Sequence, residues 1–322
     1  MNKILVLAGP TAVGKTEYSI RLAKALDGEI ISADSMQIYE GMDIGSAKPS
    51  AAELAMVPHH LIGEIDPRRA FSAAEYQILA RQYIREVQKR GKLPIIAGGT
   101  GLYVNSLLYD MDFSVLPRQE GFREQLEEEA KREGPEVLHR RLEALDPEAA
   151  ARIHPNNIKK VIRAIEVCQA SGESFPEFEA SFKKTKEYDV ILIGLERERQ
   201  ELYGRIERRV DALMEQGLEQ EVSHLLEKGL QISDISMKGI GYKEIISYLQ
   251  GEYDREEAIR LIKQNTRRYA KRQMTWFRRY PDMKWFLLTE EDDVNAKTEE
   301  LLHEVRALLK GVPAEGDGNG RP

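Results

Sequence analysis

Eight residues near the amino terminus carry the most specific chemistry in the sequence. Gly9, Pro10, Thr11, Ala12, Val13, Gly14, Lys15 and Thr16 match the pattern GxxxxGK[ST]. They follow the apolar stretch Lys3–Ala8 and precede a helical pattern from Tyr18 to Leu26, which is the setting such a loop requires. Glycines let backbone N–H groups converge on phosphate oxygens, and the following helix adds unsatisfied amides and its positive end. Lys15 contributes a point charge, and the Thr16 hydroxyl suits a magnesium ion. The loop reads as a phosphate cradle. It leaves open which phosphate compound binds.

A carboxylate stands nearby. Asp34 follows Glu29–Ala33, which reads as a buried strand, and strand ends are where an open α/β sheet places its ligands. A carboxylate there can take a proton from an attacking hydroxyl or amine; a magnesium ligand or a helix cap is the plainer reading. A nucleotide hydrolase also needs an acidic residue at the end of a later core strand. The best candidate, Leu93–Ala97, ends instead in Gly98-Gly99-Thr100. That disfavours ATPase and GTPase readings and leaves a small-molecule kinase, or a transferase that uses a phosphorylated donor.

The elements that must hold these residues are legible as apolar runs. Lys3–Ala8, Glu29–Ala33, Leu93–Ala97 and Asp189–Leu195 are short and rich in Ile, Leu or Val, as buried parallel strands are, and Lys284–Leu288 reads as a fifth. Between the third and fourth runs, Gly134-Pro135, Asp146-Pro147, His154-Pro155 and Phe175-Pro176 break a charged stretch. Helices fit between the breaks, at Phe122–Glu133, Val137–Ala144 and Ile158–Ala170. Such a stretch is too long for a plain crossover, so it reads as an inserted, mostly helical domain. The expected fold class is α/β with a mostly parallel sheet. The expected divisions are a first core part at 1–116, an insertion at 117–186, core completion at 187–310 and a disordered tail at 311–322. In the completing part Leu202, Ile206, Val210 and Leu213 would form one helical face, and Ile259, Ile262, Thr266, Tyr269 and Gln273 another.

Charge is distributed unevenly. The net charge of -7 argues mildly against a nucleic-acid partner, yet Lys263–Arg279 holds seven Lys or Arg and no acid, interleaved with Tyr269, Trp276 and Phe277. That segment suits phosphate-backbone contact with aromatic packing, or else is a solvated helix face over core aromatics. A second basic cluster includes Arg205 and Arg209, either of which could turn back on the phosphate loop as a guanidinium clamp. The single cysteine, Cys168, excludes an internal disulfide and reads as a buried small apolar residue. No run is long enough to cross a bilayer or to act as a signal peptide, so no membrane partner and a cytoplasmic location are expected. A monomer is expected because no long exposed apolar stripe is evident.

Taken together these segments resemble the bacterial tRNA dimethylallyltransferases, also called tRNA isopentenyltransferases. The matching stretches are GPTAVGKT at 9–16, ADSMQIYEGMDIGSAKP at 33–49, HHLIGEIDP at 59–67, FSAAEY at 71–76 and IIAGGTGLYVNSLLY at 95–109. They continue with GLERERQELYGRIERRVDALMEQGLEQEV at 194–222, KGIGYKEIISYLQG at 238–251 and NTRRYAKRQMTWFRR at 265–279. The resemblance implies a P-loop NTPase-like core whose inserted helical domain grips the anticodon arm of tRNA. It implies transfer of a dimethylallyl group from dimethylallyl diphosphate to N6 of adenosine 37, with Mg2+ as cofactor. It further implies that Gly9–Thr16 and Arg205 hold the diphosphate, that Thr16 ligates the metal, and that Asp34, Thr11 and Lys15 are catalytic. Asp34, Ser35, Met36, Gln37, Thr100, Arg123, Lys159, Lys160 and Arg163 would contact the tRNA. One departure from the family pattern is visible: Asn157 stands where an acidic residue is usual, and Lys160 where Arg is more typical.

Three rivals share some of these features. A small-molecule kinase shares the loop and the strand-end carboxylate but leaves the basic segment and the insertion without a role. A non-enzymatic RNA-binding module leaves the loop unexplained. An adenylate isopentenyltransferase acting on free nucleotide would need neither the insertion nor the basic segment.

Overall fold

The computed structural model describes residues 2–111, 113, 121–172, 174–175 and 183–311. Two compact units are present, one built from 1–108 with 185–322 and the other from 109–184. The expected tail, past Gly311, and the proline of the Phe175-Pro176 break lie outside the described residues.

The larger unit is organised on a six-stranded sheet. Its strands are β1 (Lys3–Ala8), β2 (Gly28–Ala33), β3 (His59–His60), β4 (Leu93–Gly98), β5 (Asp189–Arg197) and β6 (Lys284–Leu288), in the order β3-β2-β4-β1-β5-β6. Every pairing is parallel. The central strands are apolar because helices cover both their faces: Ile4, Leu5, Leu7, Ile31, Ile95, Ile96, Ile193 and Leu195 are fully buried. The five strands expected from apolar runs are all present. The sixth, β3, was not read from the sequence, since two histidines at a sheet edge carry no apolar run to reveal them.

Local signals explain where helices begin. The helix Ala73–Lys89 starts on a capping box in which Ser72 and Glu75 satisfy each other's backbone amides, so the FSAAEY stretch has a structural reason as well as a family one. The helices Arg199–Glu215 and Arg255–Phe277 correspond to the two expected apolar faces. In the first, Leu202, Ile206 and Val210 are buried; in the second, Ile262 and Gln273 are. Phe277 is fully buried, so that aromatic is a core residue and not part of a basic-aromatic surface.

The smaller unit is helical. Phe122–Glu133, Pro135–Leu145, Pro147–Arg152 and Ile158–Ser171 pack around Leu126, Leu138, Leu142, Val161, Ile162 and Ile165. The Gly-Pro and Asp-Pro breaks mark helix starts, with Pro135 and Pro147 in the first turn of their helices. Asp146 is buried, and its carboxylate accepts from the amides of Ala149 (2.9 Å) and Phe175 (2.7 Å). Burial pushes its pKa up, but those amides outweigh it and the pKa lies below the usual range. Asp146→Ala therefore removes a cap and strands two amides. We expect a loss of about 1–3 kcal/mol in stability, read by denaturant unfolding. Because the folded-state pKa is depressed, this contribution is present above the unfolded-state value and is lost as pH falls through the folded one.

Candidate active site

The carboxyl ends of β1, β2, β4 and β5 converge on one region of the larger unit. The loop Gly9–Thr16 leaves β1 and runs into the helix Lys15–Ala25, with Ala12 (φ 63°) and Gly14 (φ 119°) in left-handed backbone. Its carbonyls are held by cations. Lys15 Nζ donates to Gly9 O (3.0 Å) and Pro10 O (2.7 Å), Arg205 Nε to Ala12 O (2.9 Å) and Arg197 Nε to Val13 O (2.9 Å). Gly14 caps the helix without a side-chain bond, so the first-turn amides remain available to an anion. Arg205 thus supports the loop at the rim of its cavity.

Two adjoining cavities open beside the loop. One, about 470 Å³, is lined by Ala12, Gly14, Lys15, Thr16, Arg205 and Arg208 among others. The second, about 350 Å³, has an apolar wall from Met36, Ile206, Val210, Leu213, Ile240 and Ile262. Thr11, Asp34, Ser46, Arg209 and Tyr269 line both. Asp34 therefore stands between a cationic chamber and a partly apolar one.

Asp34 Oδ1 accepts from the amides of Met36 (2.9 Å) and Gln37 (3.3 Å), a tight turn that fixes the carboxylate. Among the described residues no hydrogen bond reaches Oδ2. Ser35 N donates to Thr100 Oγ1 (3.0 Å), which joins the ends of β2 and β4. Gln37 Nε2 reaches back to Ala47 O at 3.1 Å. Asp34, Ser35, Met36, Gln37 and Thr100 are brought together with Thr11, Lys15 and Thr16. The remaining expected residues lie in the smaller unit. There Arg123 makes a two-pronged ion pair with Glu166 (3.1 and 2.6 Å), and Arg163 approaches the same carboxylate at 3.5 Å. Lys159 and Lys160 are exposed in the first turn of Ile158–Ser171, after Asn157, whose side chain makes no cap bond.

Burial shapes the charges. It pushes the Lys15 pKa down to about 7, with Asp34 pulling it up and Arg209 pushing it further down. Arg209 shows the same conflict, lowered by burial and raised by Asp34. Tyr269 is pushed up to about 12 by burial, with Asp34 acting in the same direction, so its phenol stays neutral.

The basic segment divides by face. Lys263 pairs with Asp211 (2.7 Å) and Arg267 with Glu207 (2.6 Å), whereas Arg268, Lys271 and Arg272 are exposed. Its inward side carries a residue whose role the sequence did not reveal. Gln273 Oε1 accepts from Thr11 N (2.9 Å) and its Nε2 donates to Gly99 O (2.9 Å), so it clamps the phosphate loop to the end of β4. A side chain at position 99 would meet Gln273 Nε2 at 2.2 Å, and one at 101 would meet the Trp276 ring at 2.4 Å. The glycines after β4 are there for close approach.

The oxygen donors beside the loop bear on whether magnesium fits there. Among the described residues no group of three His, Cys, Asp or Glu is arranged to hold a metal ion. The hard oxygen donors lining the cavity beside the loop include the Thr16 hydroxyl and the carboxylates of Asp34, Glu17 and Glu53, and Thr16 and Asp34 also line a smaller neighbouring pocket. That sparse set suits an ion that keeps water and substrate oxygens as its other ligands.

Fold and site together define a P-loop α/β enzyme, in which a phosphate cradle and a carboxylate base candidate face a common space. Residues 37–280 match the IPP transferase family. The chain is 53% identical over 311 residues to the tRNA dimethylallyltransferase of Alkaliphilus oremlandii, covering 97% of this chain and 99% of that one. The crystal structure of the full-length tRNA isopentenylpyrophosphate transferase of Bacillus halodurans is 44% identical, with a TM-score of 0.74 and coverage of 97% and 98%. A eukaryotic dimethylallyltransferase acting on tRNA superposes with a TM-score of 0.85 at 27% identity, covering 98% of this chain and 82% of that one. The chain belongs to the IPP transferase family, of the bacterial tRNA dimethylallyltransferase type.

Proposed function

We propose that this enzyme transfers a dimethylallyl group from dimethylallyl diphosphate to N6 of adenosine 37 in the anticodon loop of tRNA, releasing diphosphate. The observation that carries the reading is the pair of cavities sharing Asp34. The cationic chamber suits the diphosphate, and the partly apolar one suits the prenyl carbons and an incoming base. Attack of the N6 lone pair at the allylic carbon forms a C–N bond, while the C–O bond breaks and its electrons leave with diphosphate. The dominant demand is to neutralise the leaving group. Lys15, the amides of Gly14–Thr16 and Arg205 meet it. Asp34 Oδ2 accepts the N6 proton. Thr16 would hold magnesium, which when bound adds charge neutralisation on the diphosphate. An unpaired loop base is cheaply extruded to reach the site.

Ser35–Gln37 and Thr100 would border the base, and the exposed Lys159 and Lys160 with Arg123 and Arg163 of the smaller unit would meet the anticodon stem. No described helix is long and apolar enough to cross a membrane. We read the protein as a cytoplasmic monomer. Incubation with radiolabelled dimethylallyl diphosphate, magnesium and unmodified tRNA tests the reaction. Label on free AMP but never on tRNA would overturn it in favour of a nucleotide prenyltransferase, and phosphate transfer from ATP would point to a kinase.

The Lys15 pKa of about 7 sets a pH dependence for donor binding. Diphosphate favours the ammonium, so the pKa in the complex is higher than in the free site. The resulting affinity is fully present below about 7 and falls as pH rises above it, with uptake of one proton on binding. Calorimetric titrations in buffers of different ionisation enthalpy should detect that proton at pH 8 and not at pH 6; equal values at both would refute it.

A further inference from the structure

We infer that Glu221 is a positioning residue for the acceptor side of the reaction: with Tyr242 it latches together the two rims of the partly apolar cavity. The inference rests on the reading that this cavity admits the acceptor base.

Glu221 lies in the helix Leu218–Glu227, away from the phosphate loop. Its carboxylate accepts from three successive backbone amides: Oε2 from Asp43 (2.8 Å) and Ile44 (2.7 Å), and Oε1 from Gly45 (2.9 Å). Oε1 also accepts from Tyr242 Oη at 2.8 Å. One surface helix thus supplies the charge that fixes a loop and a phenol at once. Converging amides around an anion make a strong, directional site, and here the anion belongs to the protein itself.

The two groups held in this way are the two rims. Gly45, Ser46 and Ala47 form one side of the cavity, and Lys238–Gly241 with Lys243 form the other. Tyr242 is fully buried between them. A side chain at Gly45 would meet its ring at 2.5 Å, and one at Gly239 would meet Met36 at 2.5 Å. The chain of contacts then runs inward. Gln37 Nε2 donates to Ala47 O (3.1 Å), Arg209 Nη2 reaches the same oxygen at 3.5 Å, and the Gln37 amide donates to Asp34 Oδ1. Release of the 43–47 loop therefore loosens the turn that orients Asp34 and the width of the space beside it. The carbonyl contacts of Lys15, Arg205 and Arg197 with the phosphate loop do not pass through Glu221.

The test uses the full chain with the substitutions Glu221→Gln and Tyr242→Phe. Three quantities are measured: thermal unfolding, the dissociation constant of dimethylallyl diphosphate, and kcat and KM for tRNA at saturating donor. Folded E221Q is expected to keep donor affinity within about threefold of the unsubstituted enzyme. Its kcat/KM for tRNA should fall about tenfold or more, and Y242F should show a smaller loss in the same parameter. Glu221→Asp, which keeps the charge on a shorter stem, should recover part of the loss. If the unsubstituted enzyme does not modify tRNA at all, the reaction assigned above fails. If it does, and E221Q matches it or loses donor affinity and tRNA turnover equally, the positioning role is overturned. If E221Q and Y242F both fail to fold, Glu221 is a stability residue only and the inference is likewise overturned.

Discussion

Asp34→Asn is expected to slow prenyl transfer by about 10²–10⁴-fold in single-turnover assays, the range a positioned general base contributes. Asparagine is the informative replacement. Its side-chain oxygen can still accept the amides of Met36 and Gln37, so the turn between β2 and the 43–47 loop persists. What is lost is the charge and the proton acceptor at the position of Oδ2. Donor binding should survive, because the phosphate loop is braced by Lys15, Arg197, Arg205 and Gln273 and not by Asp34. Asp34 also raises the Lys15 pKa. In D34N the pH above which donor affinity declines should therefore move down. A D34N enzyme with turnover close to that of the unsubstituted protein would remove the base role.

Lys15→Met is expected to lower turnover by about 10²–10³-fold, the scale of losing one donor aimed at developing negative charge. The ammonium is the cation that reaches from the helix start over the loop, and its present partners are the carbonyls of Gly9 and Pro10. Unlike Asp34→Asn, this change should weaken donor binding and slow chemistry together. Stability should move the other way. A lysine with its folded-state pKa depressed to about 7 binds fewer protons folded than unfolded up to its ordinary value, so stability rises with pH over that window. Below it the full cost of burying the charge is borne. K15M should therefore be at least as stable as the unsubstituted protein at neutral pH, and its unfolding should lose that pH dependence. A destabilised K15M with unchanged donor affinity would contradict both halves of the argument.

The outcome for the basic segment shows how far a pattern can be read. Its seven cations marked a helix of unusual charge, and the helix is there. Which cations are paired depended on Asp211, Glu207 and Glu196, more than fifty positions away in the chain. Gln273 and Phe277 share that segment yet face inward, one clamping the phosphate loop and the other buried in the core. Arg205 and Arg209 could not be separated by spacing, since four residues apart on a helix they share a face. The folded chain gives them different work: Arg205 braces the loop carbonyl of Ala12, while Arg209 sits where the two cavities meet.

Sequence by itself determined the elements whose cause is local. Apolar runs gave the five longer strands and GxxxxGK[ST] gave the loop between β1 and its helix, because each depends on neighbours within a few residues; the prolines after Gly134 and Asp146 were read only as breaks, and the structure starts helices on them. Tertiary structure alone decided the rest. Three amides from one segment meet the Glu221 carboxylate from another, and Gln273 meets Thr11 across 262 positions of chain. A hydrogen bond is set by atoms within about 3 Å, and only the packing of the sheet with its helices brings such distant residues that close. The loop at Gly9–Thr16 could be recognised from its own letters. Asp34 was legible as a strand-end carboxylate, but the two cavities that meet beside it were not.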